Sequence, residues 1–129
     1  MSDLLALAEQ AARQAYSPYS KFQVGCALQT ATGKVYSGCN VENASYGLTI
    51  CAERNAIFHA VADEGPLMKV ARLAVICHGH EFPPCGACRQ VIAEFALPDG
   101  KTEVTFLCHG KPVTRTIAEL LPEAFIIPS

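Results

Sequence analysis

The placement of cysteine constrains this chain more than any other feature. Cys51 lies in Thr49-Ile50-Cys51-Ala52-Glu53-Arg54, and Cys85 and Cys88 lie in Pro84-Cys85-Gly86-Ala87-Cys88-Arg89. Each segment follows a loop and opens a stretch with helical character. If the three thiols act together, the fold must bring the starts of two separate helices to one point. Three thiolates can hold a zinc ion and leave its fourth position open. Structural zinc sites are usually closed by four protein ligands, whereas catalytic ones keep three and a water. The pattern therefore points to a hydrolytic zinc site.

The local chemistry agrees. The first turn of a helix carries unpaired N–H groups and the positive end of the dipole. Both favour the thiolate, the form that binds zinc. Cys85 and Cys88 are three residues apart and lie on one side of a first helical turn, with Cys51 completing the triangle. Three negative ligands make it harder to ionise a bound water. Positive charge is needed nearby, from the helix termini and from Arg54 or Arg89 donating to sulfur. Glu53 is assigned as a proton shuttle rather than a ligand, a role worth roughly 10²–10⁴ in rate.

Two plainer readings compete. Cys85-Gly86-Ala87-Cys88 after a strand also has the form of a thiol–disulfide redox motif. That leaves Cys51 and Glu53 unexplained. A structural zinc module would need a fourth ligand, for which Cys77, His78, His80 and Cys108 are available. Cys26, Cys39, Cys77 and Cys108 otherwise read as small buried hydrophobes, and His59 as a helix-packing residue.

The rest of the chain supplies a frame for such a site. Residues 2–16 read as a helix with Leu4, Ala8, Ala11, Ala12 and Ala15 on one face, a possible cap at Ser2 and a stop at Ser17-Pro18. Strands at 22–29 and 34–39, joined by Thr30-Ala31-Thr32-Gly33, should be antiparallel. A loop spans 40–50. A helix follows from about 51 to 62, with Thr49 as candidate cap and Gly65-Pro66 as stop. A buried strand at 70–77, a helix from 85 to about 95, a strand at 103–108 and a short strand at 111–115 come next. Thr116-Ile117-Ala118-Glu119 has capping-box spacing for a short helix ending before Pro122. Strands alternating with helices after a hairpin predict an α/β structure, with one mixed five-stranded sheet packed by helices. With 129 residues, the expectation is a single domain over 1–129.

Composition narrows the function. Half the residues are hydrophobic, 17% are charged, and the formal net charge is −2. Lys and Arg are scattered and there is no Trp, so a small ligand is expected rather than nucleic acid. No apolar run approaches membrane-spanning length. The seven cysteines cannot all pair, and the N-terminus lacks the basic start of a secretory signal. A reduced, cytoplasmic setting is expected.

Taken together, Cys51-Ala52-Glu53-Arg54 and Pro84-Cys85-Gly86-Ala87-Cys88-Arg89-Gln90 resemble the motifs of the small zinc-dependent cytidine deaminases, whose signature and chemistry are known in general terms. Pro18-Tyr19-Ser20-Lys21-Phe22-Gln23-Val24-Gly25 resembles the family's N-terminal segment, and Gly38-Cys39-Asn40-Val41-Glu42-Asn43-Ala44-Ser45-Tyr46-Gly47 its nucleoside-binding segment. The resemblance covers nearly the whole chain and implies a three-layer cytidine deaminase-like fold. It implies one Zn²⁺ per subunit on Cys51, Cys85 and Cys88, with Arg54 offsetting thiolate charge. It further implies attack of zinc-activated water at C4 of cytosine, with Glu53 carrying protons to N3 and to the leaving amine.

Substrate contacts follow from the same resemblance. Asn40 and Glu42, two apart and facing the same way in an extended chain, would hold the ribose. Phe22 would lie against the base. Backbone groups near Ala52 and Pro83 would meet the pyrimidine edge, and Phe125 would close a neighbouring subunit's site in a homotetramer. Pro83 stands where the family usually has Ser, and Ile126-Ile127-Pro128 where it commonly has Gly-Pro. The expected reaction is deamination of cytidine and 2′-deoxycytidine in pyrimidine salvage. A blasticidin S-type deaminase is the near alternative, which the Asn40–Glu42 pair disfavours.

Overall fold

The computed structural model describes residues 2–128. Its elements are α1 (Ser2–Ala12), β1 (Val24–Thr30), β2 (Val35–Cys39), α2 (Ala52–Glu64), β3 (Val70–Cys77), α3 (Gly86–Glu94), β4 (Glu103–Cys108), β5 (Lys111–Thr116) and α4 (Ile117–Leu120), with 3₁₀ turns at Tyr46–Leu48 and Pro98–Gly100. The strands form one five-stranded sheet in the order β2-β1-β3-β4-β5. Only β3 and β4 run parallel, joined by a crossover through α3, and the other pairs are antiparallel. The sheet is mixed, as the sequence predicts.

Alternation along the central strands makes the layers. On one face Leu4 and Ala8 of α1 meet Ala27 and Ala74. On the other, Cys26, Leu28, Leu73, Val75 and Val104 pack against Ala56, Ile57 and Ala60 of α2 and Ile92 of α3. Neighbouring residues of a strand point to opposite faces, so one run of sequence feeds both cores. Leu28, Ile57, Leu73 and Ile92 are fully buried, each contributing on the order of 1.5–3 kcal/mol by removal from water.

Two glycines let the layers approach. A Cβ on Gly25 would stand 1.8 Å from the Ala8 carbonyl oxygen, and one on Gly38 would stand 2.5 Å from the Ala56 nitrogen. Without them α1 and α2 could not lie directly on the hairpin. The second contact matters for function, because α2 carries Cys51 and Glu53 at its start.

The boundaries differ from expectation in instructive places. Helix α1 stops at Ala12, not residue 16. Arg13, Gln14 and Ala15 instead bond three residues back, and Tyr16 pairs with the backbone of Asn40 and Glu42. Tertiary pairing with the 40–50 loop outcompetes the last helical turn. The side chain of Ser2, the expected cap, lies outside the described residues. Thr49 does not cap α2: its hydroxyl accepts from the Asn43 N–H at 3.2 Å, and the cap position belongs to Cys51. Helix α4 has the full capping box, with Thr116 and Glu119 serving each other's backbone. No helix among the described residues is long and apolar enough to cross a membrane.

Candidate active site

Helices α2 and α3 begin side by side beneath the same cleft. Cys51 is the N-cap of α2 (φ −71°, ψ 157°) and Cys85 the N-cap of α3 (φ −68°, ψ 168°), and neither sulfur makes a capping hydrogen bond. Ser, Thr, Asp or Asn usually takes such a position and satisfies the orphan N–H groups with its side-chain oxygen. Here both side chains are left free to face one another. Cys88, in the first turn of α3, is buried beside them.

The sulfurs of Cys51, Cys85 and Cys88 all lie within 4.8 Å of one another, and among the described residues no fourth His, Cys, Asp or Glu joins the group. Three thiols converging at two helix N-termini fit one tetrahedral zinc ion, whose bonds to sulfur are about 2.3 Å. Cys77, His78, His80 and Cys108 do not supply a fourth ligand. The structural-module reading thus lacks the closed ligand set it requires.

Charge around the sulfurs is arranged for a thiolate. The Cys51 thiol is pulled down to about 5, first by the Cys88 thiol hydrogen-bonded to it and, against the opposing effect of burial, by Arg54. Cys88 is pushed up for the same reason, with burial and Glu53 adding to it. The Nη2 of Arg54 donates to the Cys51 sulfur at 3.1 Å. Arg89, the other candidate for this role, is otherwise employed. Its Nε donates to the Pro84 carbonyl at 2.7 Å and its Nη1 to the Leu120 carbonyl at 2.9 Å. It ties the Cys85 loop to α4, a function concealed in the sequence by its position next to Cys88.

Glu53 is 4% exposed and lines the cleft together with Cys51 and Cys85. Burial raises its carboxyl to about 7; its own backbone N–H pulls the other way and the Cys51 charge pushes it further up. A carboxyl poised near neutrality suits a group that must both take and give a proton.

The cleft encloses about 350 Å³, within the range of small-molecule sites. Phe22, Val24, Asn40, Thr49, Ala52, Phe82 and Pro83 complete its walls. Asn40 is held by its amide, accepting from the Val24 N–H at 2.9 Å and donating to the Phe22 carbonyl at 2.8 Å. Glu42 faces inward like Asn40, while Val41 between them is 46% exposed. Its carboxylate accepts from the Tyr19 and Ser20 N–H groups at 3.0 and 3.1 Å and from the Ser20 hydroxyl. These partners were not anticipated from the sequence. They hold the Glu42 carboxyl below its ordinary range, the Ser20 hydroxyl contributing most. Glu42 does not itself line the cleft of the isolated chain.

Phe125 is 71% exposed and stands outside its own chain's cleft, its carbonyl accepting from Gln90 Nε2 at 2.8 Å. A larger cavity of about 410 Å³ at the far end of α3 contains none of the expected site residues. The remaining cysteines divide: Cys26 and Cys77 are buried as expected, Cys39 is half-buried, and Cys108 is exposed at the end of β4. His59 is exposed yet packs α2 on β2 as expected, edge-on to Tyr36 with ring centroids 5.2 Å apart and with its Nδ1 3.2 Å from the Ser37 carbonyl oxygen.

Comparison with known proteins points the same way. Residues 1–103 match the family described as the cytidine and deoxycytidylate deaminase zinc-binding region. A cytidine deaminase of Sporosarcina psychrophila is 47% identical over 95% of this chain and 88% of its own length. One of Halalkalibacterium halodurans is 50% identical over 95% of this chain and 91% of its own length. The crystal structure of cytidine deaminase from Burkholderia pseudomallei superposes with a TM-score of 0.87 at 45% identity, covering 96% of this chain and 98% of that one. That family-wide match extends across both cysteine segments and the sheet between them, and the chain belongs to the cytidine and deoxycytidylate deaminase zinc-binding family.

Proposed function

We propose that this chain hydrolyses cytidine and 2′-deoxycytidine to uridine and 2′-deoxyuridine with release of ammonia, serving pyrimidine salvage in the cytoplasm. The observation that carries this reading is the convergence of three thiols and one buried carboxyl at the floor of a single cleft. Cys51, Cys85 and Cys88 would hold zinc, which when bound supplies the Lewis acidity that makes water ionisable near neutral pH.

Glu53 moves the protons. Its carboxylate takes one from the attacking water and returns it to N3 of the pyrimidine. It then takes the second proton from the C4 hydroxyl and passes it to the exocyclic amine. A C–O bond forms at C4, the C–N bond breaks, ammonia leaves and the C4 carbonyl of the product remains. Burial of Glu53 keeps bulk water from competing for the proton.

Phe22 gives the base an apolar face, and backbone groups at Ala52 and Pro83 meet its polar edge. Asn40 and Glu42 hold the sugar hydroxyls. Their common inward direction and the ionised state of Glu42 support this. Phe125 serves the site of a neighbouring copy in a homotetramer. Its exposure supports this, as does that of Tyr46 (78%) and Leu48 (64%).

The test is an ultraviolet and ammonia assay of zinc-replete protein. Loss of cytidine with equal uridine and ammonia is expected. Glu42→Gln should raise KM for nucleosides while leaving free cytosine unaffected. Equal effects on both would remove the sugar assignment, and no turnover of cytidine would remove the substrate.

A further inference from the structure

Phe82 lies in the 78–84 loop between β3 and α3 and lines the cleft. It is 38% exposed, and Phe22, also a wall residue, is 40% exposed. Large apolar side chains with that much free surface are unspent by the core. The two belong to segments far apart in sequence that converge only at this cleft.

The loop that carries Phe82 is tied down on both sides. The His78 N–H donates to the Gln23 carbonyl at 3.0 Å, beside Phe22. His80 pairs back on Cys77, and its ring lies against Phe22 with centroids 4.2 Å apart and planes tilted by 40°. The Glu81 carboxylate accepts the Gly110 N–H at 3.0 Å, and the Pro84 carbonyl accepts from Arg89. The residues flanking Phe82 are therefore anchored to β1's entry, to the β4–β5 turn and to α3. A loop backbone so anchored loses little freedom when a ligand meets the Phe82 ring, so more of the contact appears as affinity.

We propose that Phe82 is a specificity-determining residue, which with Phe22 forms an aromatic wall that selects a planar pyrimidine ring, and that His80 is a positioning residue that braces Phe22. The inference rests on the reading of the cleft as a nucleoside site. A flat, conjugated base stacks on such rings more closely than a puckered, partly saturated one.

Stacking on one aromatic side chain is worth roughly a tenfold change in binding on alanine substitution. Phe82→Ala should raise KM for cytidine about tenfold, with kcat within about twofold and zinc content unchanged. As competitive inhibitors, uridine should weaken by about the same factor and 5,6-dihydrouridine by less than about threefold. A merely structural role would move both inhibitors alike. Phe82→Tyr, which keeps the ring face, should behave as wild type; if Phe82→Ala loses zinc or folds poorly, Phe82→Leu takes its place with the same expected split. Unchanged KM in Phe82→Ala, or equal weakening of the two inhibitors, overturns the assignment. For His80, the His80→Ala protein should show a several-fold rise in KM that disappears in a Phe22→Ala background; an equal rise in both backgrounds overturns the bracing role. Wild-type protein that neither turns over cytidine nor binds uridine would instead overturn the nucleoside reading, and this proposal with it.

Discussion

Helices α2 and α3 begin differently from α4, and the difference separates a helix end used for chemistry from one used for stability. Helix α4 is only four residues long and starts with a complete capping box. Each partner satisfies a backbone N–H that would otherwise be orphaned. Helices α2 and α3 put cysteine at the same position and gain no side-chain cap. Their first turns keep N–H groups that no N-cap side chain satisfies, beside three sulfurs. Stability of the helix start is given up where a thiolate must be stabilised. Burial of α2 against β2 and β1 then holds the helix in place, so the cap is dispensable there.

The contrast can be broken at either end. The largest effect is expected from Glu53→Ala, which should lower kcat by roughly 10²–10⁴ while zinc and fold persist. Steady-state kinetics beside metal analysis checks it, and retained turnover would remove the proton shuttle. Next comes Cys85→Ser. Losing one of three thiolates should weaken zinc binding by about 3 kcal/mol or more and lower the melting temperature, because metal binding is linked to folding. Chelator titration of the purified protein reads this, and unchanged affinity would refute the ligand assignment.

Arg54→Gln sharpens the same side of the comparison. It removes the cation on the Cys51 sulfur and leaves every ligand in place, so zinc affinity should fall about 10–100-fold. Thr116→Ala is the opposite arm. It should cost about 1 kcal/mol in denaturant unfolding and leave zinc affinity and kcat unchanged. A loss of zinc in that variant would show the two helix ends to be coupled.

The smallest effect concerns pH. The Glu119 carboxyl is held below its ordinary range, first by the Thr116 N–H and then by the Thr116 hydroxyl. A depressed folded-state value means that its contribution is present above the unfolded-state value and is lost as pH falls through the folded one. Glu119→Gln should therefore destabilise the protein at neutral pH, with the difference from wild type narrowing in acid. A constant difference across that range would separate the cap from its charge.

Some elements were legible because their signals are local. Val70–Cys77 and Glu103–Cys108 are apolar runs bounded by turn residues, and both strands match the sequence reading in extent. The Thr116/Glu119 box is a spacing rule and forms as read. The apolar face continues through Ala15 and so extends the sequence reading of α1 beyond its end at Ala12, yet the backbone of Tyr16 is claimed by Asn40 and Glu42. Thr49 has the composition of a cap, but its hydroxyl is taken within the 40–50 loop. Arg54 and Arg89 look equivalent beside their cysteines, and only packing shows that one reaches sulfur and the other two carbonyls. Phe82 and His80 carry no motif at all; the wall exists because the 78–84 loop folds back over Phe22.

Sequence alone determined the kinds of group available here: three thiols at helix starts, a carboxyl two residues from one of them, and the periodicities that make a mixed sheet covered by helices. Those are properties of residue type and spacing within a turn or a strand, where geometry is set by the backbone itself. Tertiary structure decided the distances between sulfurs, the burial that carries Glu53 toward neutrality, which arginine meets the thiolate, and which aromatic rings share a wall. Each depends on segments far apart in the chain being pressed together. Such contacts are selected by the packing of the whole sheet and its two helical layers, and no local pattern encodes them.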